Sequence, residues 1–144
     1  MCCQVRVRPV NRAIAAEVLK VGQFSPEPNE PEWPWVRAIP DEGTMVLARV
    51  DSGSLMLTLR PGVHNHADHA TRRLAASVMF EIAWRYAEKV NGEVWQVANI
   101  QKCREERGET VLIARFPLQP FKWDDVCPGF QAVILGEPRL DLSA

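Results

Sequence analysis

The chain has no run of about 20 apolar residues, so no stretch of it reads as a membrane-spanning helix and no membrane partner is expected. Its first residues, "MCCQVRVRPV", lack the apolar centre of a secretory signal, and a cytoplasmic location is expected on that basis. Neither charge dominates: 17 Lys and Arg stand against 18 Asp and Glu, for a formal net charge of -1. A nucleic-acid binder normally carries a basic excess to neutralise phosphates, so nucleic acid is not the expected partner. The four cysteines (Cys2, Cys3, Cys103 and Cys127) include no C-x-x-C pair, which excludes a zinc knuckle or a dithiol redox motif. In a reducing compartment, Cys103 and Cys127 are expected as small core residues. No nucleophile elbow, phosphate-binding glycine loop or H-E-x-x-H helix occurs.

What is present suits one domain spanning residues 1–144, with 47% hydrophobic residues to fill a core. "CQVRVRPV" alternates Val and Arg as a strand does. "NRAIAAEVLKVG" reads as a short helix capped by Asn11 and stopped by Gly22, with Ile14, Val18 and Val21 as its buried stripe. Residues 24–43 hold five prolines, too many for a helix or a central strand, and predict an extended loop. "TMVLARV" and "LMLTLR" form a hairpin around "DSGS", with Gly53 placed for a positive φ.

A long helix is expected from about Asp68 to Val90, ended by Asn91 and Gly92. Between Leu74 and Ala87 its only polar positions are Ser77, Glu81 and Arg85, four residues apart and therefore one narrow stripe. So wide an apolar surface needs cover on two sides: the sheet, and then the proline loop, the C-terminal segment or a second subunit. A second hairpin follows around Gly108, then "FQAVIL" as a last strand and a tail over residues 136–144. The expected class is α+β: an antiparallel sheet of about five to six strands with two helices on one face. The β-α-β-β-α-β order is ferredoxin-like, with a C-terminal extension. The strands "TMVLARV" and "LMLTLR" offer no stacking aromatics, which argues against the RNA-recognition version of that sheet.

All three histidines fall in "HNHADH", at His64, His66 and His69, with Asp68 beside the last. The form H-x-H-x-D-H resembles the metal-binding signature of the metallo-β-lactamase fold. That resemblance implies a two-metal hydrolase, but it covers six residues, and no later histidine exists to complete the ligand set. A simpler site remains open, with three imidazoles and Asp68 on zinc and water in the open position. The alternative is structural: Asn65 or Asp68 caps the long helix, and the histidines form its polar entrance. A third reading uses the free N–H groups of that helix end, with Arg72 and Arg73, as an anion seat.

The leading expectation is a non-catalytic cytosolic regulator, inhibitor or adaptor acting through protein–protein contact, with no cofactor and with a homodimer as the oligomer to test. Trp33, Trp35 and Trp84 are its expected partner-binding residues, because aromatic anchors are enriched at interfaces. The alternative is a small zinc-dependent hydrolase on His64, His66, His69 and Asp68. The second alternative binds a small anion at Arg72 and Arg73.

Overall fold

Among the described residues, seven strands form one antiparallel sheet and three helices pack on one of its faces. The computed structural model describes residues 2–27, 34–39, 44–60, 69–99, 108–116 and 122–135. The elements in chain order are β1 (Cys2–Arg8), α1 (Arg12–Val21), β2 (Ser25–Pro26), β3 (Trp35–Ala38), β4 (Met45–Val50), β5 (Leu55–Arg60), α2 (His69–Val90), β6 (Glu93–Asn99), β7 (Gly108–Arg115), a 3-10 turn (Trp123–Asp125) and α3 (Pro128–Leu135). Across the sheet the strands run β2-β3-β4-β5-β1-β6-β7.

The period-2 pattern of each strand sets the two faces. Val5 pairs with Leu57, which pairs with Ala48, and this row points at the helices together with Val7, Leu55, Val46 and Val94. Over it lies α2, flanked by α1 on one side and α3 on the other. Ten of its residues are buried, among them Met79, Phe80, Ile82 and Tyr86. The Phe80 and Phe130 rings meet edge to face at 6.0 Å, which locks α3 to α2.

Several expectations are corrected. The sheet has seven strands rather than five to six, because the loop over residues 24–43 supplies β2 and β3 at one edge. "WVRA" is free of proline and rich in strand formers, and Pro26 sits on the outermost strand, where a missing N–H breaks no inner ladder. "FQAVIL" is not a strand but most of α3, which makes three helices on the face rather than two. A continuous apolar run has no readable period. The residues before it decide, since Pro128 takes the first helical position and Gln131 donates its amide to the Trp123 and Val126 carbonyls. The C-terminal segment is thus the second cover that α2 requires.

In α1 the buried stripe is Ala15, Val18 and Leu19, while Val21 is 69% exposed and Ile14 only half-buried. The helix leans on α2 through this edge, and a Cβ at Gly22 would collide with Ile82. Gly22 thus lies in close approach to the end of the Ile82 side chain, and Gln23 instead takes the positive φ of 67°. The turn after β4 is likewise not a glycine turn, since Gly53 is outside the left-handed region. Asp51 builds it by accepting the Gly53 and Ser54 amides, each at 2.9 Å. Asn91 ends α2 at φ 52°, as the Asn-Gly stop predicts.

The fully buried Tyr86 ties α2 to the β1–α1 connection: its hydroxyl donates to the Pro9 carbonyl at 2.6 Å and accepts the Asn11 amide at 2.7 Å. Burial raises its pKa, partly offset by the Asn11 N–H. Tyr86→Phe should therefore lower unfolding stability by about 1–3 kcal/mol in a denaturant titration at neutral pH. A group whose folded pKa is raised stabilises fully below its unfolded value and loses that contribution above it. Wild-type stability should accordingly fall above pH 10, and the Phe variant should lack that component.

Candidate functional site

Among the described residues, those singled out by sequence do not gather at one place. His64, His66, Asp68 and Trp33 lie outside the described residues. His69 is exposed at the first position of α2, and among the described residues no group of three metal-binding side chains comes together. Arg72 is buried, whereas Arg73 is exposed with its guanidinium 5.2 Å from the Trp123 ring centre. Trp35 and Trp84 are half-buried against the main core, so both contribute to packing. Between α1 and α2 a groove of about 450 Å³ is lined by Glu17, Val18, Val21, Arg85, Glu88 and Lys89. Its charges cancel in pairs, with Lys89 3.9 Å from Glu17, so it lacks the convergent polar groups of a ligand pocket.

The other face of the sheet is different. Among the described residues no element packs on it. Register places Arg49, Met56, Arg6, Trp95 and Leu112 in one row across β4-β5-β1-β6-β7, and Val36, Leu47, Thr58, Gln4, Val97 and Thr110 in the next. Arg60 lies beyond, paired with Met45, and Arg8 and Arg115 both lie beside Glu93 at the opposite end. Leu47 and Met56 are buried with Val36 and Met45 packed on them, a second small core beneath the arginines. Long arginine stems suit such a strip, because their carbons cover apolar surface while the guanidinium reaches outward. Among the described residues, five arginines thus share this face with two carboxylates, Asp51 and Glu93, in a chain whose net charge is -1.

Some of these charges are already held in place. Arg115 meets Glu93 at 3.1 Å, and Arg49 and Arg60 have interactions of their own. Arg6 donates from Nη2 to the Gln4 side chain at 3.4 Å, and its Nη1 stands 3.9 Å from Asp51 Oδ2. Desolvation works to raise the Asp51 pKa, but the Gly53 and Ser54 donors together with Arg6 outweigh it and hold the carboxyl below its ordinary value. Three donor atoms on this row are buried and make no hydrogen bond among the described residues: Arg49 Nε, and the neighbouring Arg6 Nε and Trp95 Nε1. A buried donor without an acceptor costs about 1–3 kcal/mol, and two side by side are unusual.

No protein-family model matches the chain, and no curated protein or solved structure matches it either. The site rests on its own geometry. Sequence reasoning passed over Arg6, Arg49 and Trp95, although the signal was present: "VRVR", "LARV" and "VWQV" each put a charged or aromatic residue opposite a buried one.

Asp51 ties the electrostatics of this face to pH. Because its folded pKa is lowered, its contribution is complete above the unfolded value of 3.8 and disappears as pH falls below that. Asp51→Asn should lower stability at pH 7 by about 1 kcal/mol or less, since the pair is partly exposed. It should also flatten the acid limb of a stability–pH profile measured by urea unfolding.

Proposed function

We propose that this chain is a non-catalytic binding protein that acts in the cytosol through protein–protein contact, and that it receives an acidic surface of its partner on the helix-free face of the sheet. The observation that carries this reading is the composition of that face. Arginine, methionine, leucine, valine and a tryptophan alternate across adjacent strands, and none of the seven strands contains a lysine. Protein interfaces are enriched in arginine, methionine and aromatic residues and depleted in lysine. A groove for nucleic acid would instead gather lysines as well as arginines over a wide basic surface. Arginine also offers a planar fork that fits carboxylates, where lysine supplies a point charge. We read the inner strands β4-β5-β1-β6, with α1 and α2 above them, as a ferredoxin-like unit whose added edge strands widen this platform.

The helix layer serves a different purpose in this reading. Its outward stripe carries opposite charges in register, such as Glu81 with Arg85, as a solvated surface does.

A photo-crosslinking amino acid placed at Val97 or at Glu81, in cells that make the protein, separates the two surfaces. The expected result is a covalent adduct with one acidic protein from Val97 and none from Glu81, lost when Arg49→Glu is added to a variant that still folds. An adduct from Glu81 alone, an adduct with nucleic acid at Val97, or no adduct at either position contradicts the proposal.

A further inference from the structure

We propose that Arg6 and Trp95 form a seat for one carboxylate group, so that the acidic partner docks through a single Asp, Glu or C-terminal carboxylate placed between them. This rests on the binding reading above and adds a point of recognition to it. Arg6 and Trp95 are direct partners across β1 and β6, on the helix-free face, with their Cα atoms in register. Residues so paired hold their Cβ atoms about 5 Å apart. One supplies a guanidinium Nε–H and the other an indole N–H, and neither makes a hydrogen bond among the described residues; both atoms are closed to solvent on part-exposed side chains, so a carboxylate reaches them when these two side chains turn outward.

The rest of the Arg6 guanidinium is engaged inside the chain. Nη2 is directed to Gln4 and Nη1 faces Asp51, so Nε is the donor left over. Asp51 cannot turn to serve it, because its other oxygen is fixed by three donors: the Gly53 amide, the Ser54 amide and the Ser54 hydroxyl. Neither the guanidinium nor the indole can accept a hydrogen bond, so the missing group must supply acceptors only. An ionised carboxylate does this with two oxygens, one for each donor. A carboxamide would bring an NH2 group against donors. A phosphate dianion would bring a second negative charge close to Asp51, which is itself held ionised. One negative charge with two acceptor oxygens fits what Asp51 and Gln4 leave open.

The test follows the indole N–H signals of the full chain in 1H–15N spectra. Five tryptophans give five signals, and Trp95→Phe, which keeps an aromatic ring in place, identifies the one from Trp95 by its loss. Hexaglutamate peptide is titrated against hexaglutamine and against inorganic phosphate at matched ionic strength. The seat predicts a saturable downfield movement of the Trp95 signal with hexaglutamate and none with hexaglutamine. Phosphate should produce a much weaker response. Arg6→Gln should weaken hexaglutamate binding about tenfold or more, as expected when a charge-assisted hydrogen bond is lost. Should Arg6→Gln fail to give a dispersed amide spectrum, Trp95→Phe serves in its place, read on the remaining amide signals of β1 and β6 with the same expected weakening. An equal response to phosphate overturns the choice of carboxylate. No movement with hexaglutamate, in a protein whose Val97 position still crosslinks an acidic partner, removes the seat and leaves the binding face. No movement and no adduct removes both.

Discussion

Helix α2 presents apolar side chains around most of its circumference, and no single flat surface can bury such a rod. The sheet covers its underside, α1 one flank and α3 the other. Each contact is specific. Ile82 lies against Gly22, Phe80 meets Phe130 edge to face, and Tyr86 bonds to the chain between β1 and α1. Burying side chains of this size contributes roughly 1.5–3 kcal/mol apiece, so the helix layer is where the fold gains much of its stability.

That arrangement has a consequence for the rest of the sheet. Because α2 needs neighbours on both flanks, the three described helices gather on one face, and among the described residues no element packs on the opposite one. In β1 the division is visible residue by residue: Val5 and Val7 go under the helices, while Arg6 and Arg8 go to the other side. The same alternation sends Arg49 from β4 and Trp95 from β6 to join them. Among the described residues of a chain with almost no net charge, this sorting gathers five arginines on one face of the sheet. Composition averages over both faces and hides it.

Much of this was legible in the sequence, for reasons of period. The alternation in β1, the hairpin around Asp51, the long helix and its Asn91 stop all follow from patterns of 2.0 or 3.6 residues. Places without a period were misread. "FQAVIL" is apolar throughout, and only the proline before it and the Gln131 contacts make it helical. The proline-rich segment hid two strands: proline-bearing β2 lies at the edge, where proline is tolerated, and β3 beside it is free of proline. The candidate site was missed for another reason. Single arginines on separate strands look like solvated surface until register brings them into one row. The histidines drew notice because they are adjacent in sequence, a weaker form of neighbourhood than sheet pairing.

The central claim is that α3 completes the burial of α2 within one subunit and so holds the three described helices on one face of the sheet. Equilibrium unfolding of Phe130→Ala tests it most directly. The residue is 1% exposed and touches Phe80 across the α2–α3 contact. The account predicts a loss of about 3–5 kcal/mol, with the two-state transition retained. A loss below about 1 kcal/mol would mean that α3 does not shield α2, and the one-sided packing of the helices would fail with it.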